Sequence, residues 1–204
     1  MGSPLSSGLS ITTITWHRWN SYHQGIDIDD VFLVAITSAK RVSEIWALGA
    51  QEPFLTFFPD RVVLIPMLEA RPKVTSVFLE NTEIVLPTFR QEGDSCVHPL
   101  DVGNCLKQYL EATVSFRQSD HLFVTFSGKN KGLRASSRSI SSWIIQTIQW
   151  AYRAKGLTPP MAIKAHSTRS VSTSWAVSRH VSPEVICRAA SWSSINTFFL
   201  QCFH

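Results

Sequence analysis

At 204 residues, the chain can hold one well-packed domain or two very small ones, and its 44% hydrophobic, 17% charged composition excludes a disordered tail. A net charge of +4 suits an anionic partner without requiring one. No apolar run reaches the length of a membrane span or reads as a secretory h-region, so no membrane role is expected.

Residues 1–27 read as a weakly structured leader of Gly, Ser and Thr followed by WHRWNSYHQG, which has no clear period. Its opening MGSPLS fits the loose myristoylation pattern, but no polybasic stretch follows to supply a second anchor. Residues 28–204 are expected to form the domain. One long helix is predicted from an Asp30 cap through VFLVAITSAKRVSEIWAL to Gly49, with Val31, Val34, Ile45 and Trp46 among its apolar positions. Three runs rich in β-branched residues follow, RVVLIP (61–66), KVTSVFL (73–79) and TEIVLP (82–87), and they predict a small antiparallel sheet.

Helices then return. PLDVGNCLKQYLEATVSF carries Leu106, Tyr109, Leu110 and Val114 on one face. HLFVTF (121–126) predicts a short strand and SGKNKGLRASS a loop. SISSWIIQTIQWAYRAKG places Ile140, Trp143, Ile144, Ile148 and Tyr152 on an apolar stripe that Gly156 ends. A helix is predicted from about His166, and SPEVICRAAS is a further short one with Ser182 as cap and Pro183 at the first helical position. The pattern predicts an α+β fold, mainly α, with a small sheet and no internal repeat or interdomain linker.

The four cysteines, Cys96, Cys105, Cys187 and Cys202, show no zinc-ligand spacing. Cys96 and His98 lie close, as do Cys202 and His204, but two such pairs do not make a four-ligand site, so reduced structural thiols and no metal are expected. Chemistry is sought instead where arginine and histidine gather. Arg41 and Glu44 share a helical face at i, i+3 and have two readings. They form a surface ion pair, or, because Arg41 lies among Ile36, Val42, Ile45 and Trp46, Glu44 orients a buried guanidinium that offers its remaining N–H groups to a ligand. His166 and Arg169, three apart, add a second guanidinium and a titratable ring.

Two arginines and an imidazole suit a phosphodiester. The guanidiniums fork onto its non-bridging oxygens, and the imidazole gives or takes a proton. Two residues at fixed spacing also recur by chance, so a structural explanation stays open. The loop SGKNKGLR offers Lys129, Lys131 and Arg134 either for contact with a DNA backbone or as a solvated face. It lacks the GK[ST] of a Walker A loop.

The blocks LVAITSAKRVSEIWAL, RPKVTSVF, LFVTFSGKNKGL, AHSTRSVSTSWA and CRAASWSSINTF, in this order, resemble the catalytic domain of phage-integrase-like tyrosine recombinases. Within that family the resemblance is greatest to the recombinases of DIRS-type retrotransposons, and it spans residues 28–203. It implies a helical bundle with a small antiparallel sheet, double-stranded DNA as partner, a homo-oligomer on DNA, and no cofactor or metal. By resemblance Arg41 falls on the first catalytic arginine, Glu44 on the acid that supports it, and His166 and Arg169 on the His-x-x-Arg pair. Trp192 falls on a position that is His or Trp in the family, where an indole N–H donates to a phosphate oxygen. Lys73 falls on the hairpin lysine that protonates the leaving 5′-oxygen.

The reaction so implied is DNA recombination and integration by transesterification through a 3′-phosphotyrosyl intermediate, which conserves bond energy and needs no nucleotide. A nuclear protein is expected if the chain is eukaryotic, an intracellular one otherwise. One departure stands out. The family's nucleophilic tyrosine lies shortly beyond Trp192, where this chain reads WSSINTFFLQCFH, and Tyr22, Tyr109 and Tyr152 are all elsewhere. The nucleophile position falls on Cys202, or on Phe203 if the spacing slips by one. A separate DNA-clamping domain ahead of the first helix is not expected either. Three readings follow: a recombinase that takes its tyrosine from another protomer, a DNA-binding relic without a nucleophile, and an interaction module that keeps the fold.

Overall fold

The computed structural model describes residues 28–67, 83–88, 98 and 100–192. Residues 1–27, Lys73 and Cys202 lie outside the described residues, as does the predicted strand at 73–79. The described elements are helices α1 (Ile28–Ser38) and α2 (Val42–Trp46), strands β1 (Leu55–Phe57), β2 (Arg61–Leu64) and β3 (Ile84–Pro87), then helices α3 (Val102–Thr113), α4 (Ser137–Ala154), α5 (Ser167–Ser178) and α6 (Pro183–Ala189). The fold is mainly helical with one small antiparallel sheet, as the sequence pattern predicts.

α1 is the central helix, and α3, α4 and α5 all pack against it. Its middle is apolar on every side, with Val31, Leu33, Val34 and Ala35 buried. The long helix predicted to run to Gly49 is in fact two. The Thr37 and Ser38 hydroxyls each donate back to a carbonyl four residues earlier, Leu33 and Val34, at 2.6 Å. Ala39 then turns left-handed, with φ of 54°, and Arg41 takes an extended conformation as the N-cap of α2. This break, rather than a helix interior, is where Lys40 and Arg41 sit.

The sheet runs in the order β1-β2-β3, with Leu55 opposite Leu64 and Val62 opposite Leu86. Leu55, Val62, Leu64, Ile84 and Leu86 are buried while Val85 is exposed, the alternation expected of a sheet with one face on the core. β1 was not expected from the sequence, and the strand predicted at 121–126 is only bridged. Leu122 N–H donates to Leu48 O at 2.7 Å on one side, and Thr125 N–H to Leu133 O at 2.9 Å on the other.

Three of the remaining helices, α3, α4 and α6, start on side-chain caps: Asp101 accepts from Asn104 N–H at 2.8 Å, Ser136 from Ser139 N–H at 3.0 Å and the predicted cap Ser182 from Val185 N–H at 3.5 Å. Ile140 and Ile144 of the α4 stripe are buried, whereas its last member, Tyr152, is exposed.

Buried Val124 N–H donates to the Tyr109 hydroxyl at 2.9 Å, so a side chain completes the backbone pairing of that segment. Tyr109→Phe leaves the amide unsatisfied and is expected to cost about 1–3 kcal/mol, read from the midpoint of urea unfolding. An unchanged midpoint would show that the hydroxyl is dispensable.

Most of the core is one cluster shared by α1, α3, α4 and the sheet. A second, smaller cluster of Ala39, Ile186, Cys187, Ala190 and Trp192, flanked by Ala176 and Val177, joins the end of α6 to the turn between α1 and α2. Among the described residues no helix is long and apolar enough to cross a membrane, and no three His, Cys, Asp or Glu side chains group as metal ligands.

Candidate functional site

Three segments meet where α1 gives way to α2: that turn, the start of α5 and the turn after α6. At the first, Glu44 is the shared carboxylate. Its Oε2 accepts the Arg41 backbone N–H at 2.8 Å and lies 3.8 Å from Arg169 Nη1, while Oε1 lies 3.8 Å from Lys40 Nζ. The two readings of the Arg41–Glu44 pair are thereby both corrected. The carboxylate caps α2 through Arg41's backbone and pairs with Lys40 and Arg169. The Arg41 side chain is exposed rather than buried, because it projects from a helix start and not from a helix interior.

At the second segment, His166 occupies the N-cap position of α5 and is exposed, and Arg169 lies one turn inside and is only 2% exposed. The Ser172 hydroxyl donates to Ile36 O, which fastens this turn of α5 to α1. At the third, buried Trp192 donates its backbone N–H to Cys187 O at 2.9 Å, and the Arg169 guanidinium carbon stands 5.1 Å from the centre of its indole. The structure thus brings Arg169, Trp192 and Glu44 into contact, with Arg41 and His166 close enough to act on Arg169 electrostatically.

Among the described residues the charges are lopsided. Lys40, Arg41 and Arg169 face one carboxylate, Glu44. Burial, then Arg41, lowers the Arg169 pKa to about 10 against the support of Glu44, so the guanidinium is still fully charged at neutral pH. Its Nη1 and Nη2 are buried and make no hydrogen bond, the Glu44 distance being too long for one. Buried donors are nearly always satisfied, so the Nη pair is left to an acceptor, water or ligand, beyond the described side chains.

Burial, then repulsion from Arg169, Arg41 and Lys164, holds the His166 imidazole below its usual pKa. The ring is therefore neutral at neutral pH and able to accept a proton. Arg41→Ala removes one of the charges that oppose protonation, so the His166 pKa is expected to rise partway toward that of a free imidazole in an NMR titration of its ring proton. A pKa that stays put would separate Arg41 from the site.

Lys40 is a member of the cluster that sequence reasoning missed. It is 5% exposed, and its Nζ donates to Ser191 Oγ at 2.5 Å. Only its place beside Arg41 hinted at it. The basic loop is divided. Lys129 is exposed, Lys131 Nζ lies 4.5 Å from the Phe116 ring centre, and half-buried Arg134 stacks on Trp46 with its guanidinium carbon 3.2 Å from the ring centre. Lys73 and Cys202, assigned by resemblance, lie outside the described residues.

No protein family and no curated relative matches the chain by sequence. Solved structures do match its fold. The XerH site-specific recombinase bound to palindromic difH substrate aligns with a TM-score of 0.63 at 14% identity, over 87% of this chain and 42% of that one. The Tn1549 transposon integrase in complex with transposon right end DNA aligns with a TM-score of 0.63 at 12% identity, over 100% of this chain and 62% of that one. XerA recombinase gives 0.60 at 12% identity, over 100% and 62%. The chain spans less than two thirds of each, and at these identities the likeness establishes a tyrosine-recombinase catalytic-domain-like fold.

Proposed function

We propose that the chain is a DNA-binding protein of the tyrosine recombinase class, whose Arg169 site grips a phosphate of the duplex backbone. The orphaned Nη groups of Arg169 carry this reading: a non-bridging phosphate oxygen is the acceptor they lack. Arg41 adds a second fork from the exposed side, Trp192 keeps water from one face of Arg169, and neutral His166 is ready to take a proton from an attacking hydroxyl. Excess positive charge at this spot favours the charge that develops on a pentacoordinate phosphorus. Lys129 and Lys131 contribute backbone contacts, and Lys73 is the acid for the leaving oxygen.

Cleavage also needs a nucleophile. Among the described residues, the groups around Arg169 are Lys40, Arg41, Glu44, His166 and Trp192, and the sequence has no tyrosine beyond Tyr152. This favours a second reading beside the first, in which the chain binds DNA and cuts only with a tyrosine donated by another protomer, or not at all. A relationship to DIRS-type retroelements and a nuclear location, or an intracellular one outside the eukaryotes, belong to the same proposal.

The test is duplex binding followed across a salt series by fluorescence anisotropy. Log affinity is expected to fall linearly with log salt, with a slope of about −0.9 per phosphate neutralised, and the double substitution Lys129→Ala, Lys131→Ala is expected to weaken binding and flatten the slope. Binding that is absent, or indifferent to salt, would overturn the proposal. A nicked suicide duplex then separates the two readings, since only a nucleophile can leave a covalent adduct.

A further inference from the structure

A buried lysine is costly unless its charge is used, and the proposed phosphate grip gives Lys40 no part. Its ammonium spans two parts of the chain 151 residues apart, donating to Ser191 Oγ at 2.5 Å and standing 3.8 Å from Glu44 Oε1. Both ends of this contact carry unusual backbone. Ala39, immediately before Lys40, has φ of 54°, and Ser191 itself has φ of 50°, a region that side chains other than glycine's rarely occupy. Such conformations persist only where their surroundings impose them. Here the surroundings are the small apolar cluster of Ala39, Ala190 and Trp192 with Ile186 and Cys187, and at its edge the Lys40–Ser191 bond.

We infer that Lys40 is a positioning residue: it latches the Ser191–Trp192 turn to Glu44 and so holds the indole over Arg169. Glu44 and Trp192 touch Arg169 from two sides, and the Lys40 ammonium is the group that ties both to one point. Its action on affinity rests on the phosphate-site reading above; its action on Trp192 does not.

Two substitutions separate this role from simple support of the fold. Ser191→Gly removes the acceptor but also relieves the left-handed backbone, and because the two effects oppose each other its melting temperature is expected to stay close to that of the unmodified chain. Lys40→Met keeps the stem and removes the ammonium. Each is made in protein labelled with 5-fluorotryptophan, in which the Trp192 resonance is assigned by Trp192→Phe. Both are expected to shift that resonance and to weaken duplex binding about tenfold, as the loss of one hydrogen bond to a charged group predicts. The double variant is expected to bind no more weakly than Lys40→Met alone.

A Ser191→Gly protein with an unmoved Trp192 resonance overturns the latch. So does weakened binding in Lys40→Met beside normal binding in Ser191→Gly, which would mean that Lys40 acts by its charge alone. If the unmodified chain binds no duplex, the DNA reading fails, and the Trp192 resonance in the two variants still decides the latch. Should Lys40→Met fail to fold, Ser191→Gly decides it by itself.

Discussion

Arg169→Met is expected to make the protein more stable and nearly unable to hold DNA. The guanidinium is buried beside Arg41 and Lys40, its terminal nitrogens have no hydrogen-bond acceptor, and its nearest carboxylate oxygen is 3.8 Å away. Methionine fills similar space without those costs. Glu44 is not stranded by the change, because it keeps Lys40 and the Arg41 backbone N–H. Replacing poorly compensated buried charge with apolar volume is stabilising by about 1–4 kcal/mol, which in a domain of this size raises the melting temperature by several degrees. On the phosphate-site reading proposed above, binding moves the other way. Two charge-assisted hydrogen bonds to phosphate are worth about 3–6 kcal/mol, so duplex affinity should fall by at least about a hundredfold. Thermal unfolding and anisotropy on the same preparation check both halves. A variant that is less stable yet binds normally would make Arg169 a structural residue.

Gly132→Ala is expected to damage the fold more than any surface change. Gly132 has φ of 84°, and a Cβ built there would lie 1.9 Å from the carbonyl oxygen of Phe116. Neither side can give way easily, since Gly132 N–H donates to Thr125 O and Gln118 N–H donates to Gly132 O, both at 2.8 Å. A left-handed alanine alone costs about 1–2 kcal/mol, and displacing the backbone should bring the total to about 4 kcal/mol or more. Gly128, three residues from Lys131 in the same loop, supplies the control. Its φ is 73° but nothing lies within 4 Å of its would-be Cβ, so Gly128→Ala should cost only the conformational part, about 1–2 kcal/mol. Equal losses in the two variants, read from urea midpoints, would refute the steric account.

The elements that the sequence foretold are those whose signals are local. Ser182 followed by Pro183 marks the start of α6, and the stripe at Ile140 and Ile144 marks α4, because caps and 3.6-residue periodicity act within a few residues. The break at Ala39 carries no such mark. Apolar residues continue on both sides of it, and Ser38, Ala39, Lys40 and Arg41 all tolerate a helix, so the pattern reads straight through. What breaks the helix is partly tertiary, since the Lys40 contact is to a serine near the far end of the chain. The misplacement of Arg41 in a buried interior follows from that one error. β1 was missed because three residues, Leu55–Phe57, are too few to show a period. As for the site, His166 and Arg169 are visible as a pair, but Glu44 as the carboxylate shared by Arg169 and Lys40 is a property of the folded chain alone.

The division of the apolar interior into a large cluster and a small one bears on how such a protein ages under mutation. The large cluster sustains the fold, and changes there are removed by selection on folding itself. The small one, built around Ala39, Ala190 and Cys187, includes Trp192 itself, whose ring centre is 5.1 Å from the Arg169 guanidinium carbon. On the recombinase reading proposed above, a lineage that no longer cuts DNA can drift at those few positions and still pass on a soundly folded domain free to acquire other work.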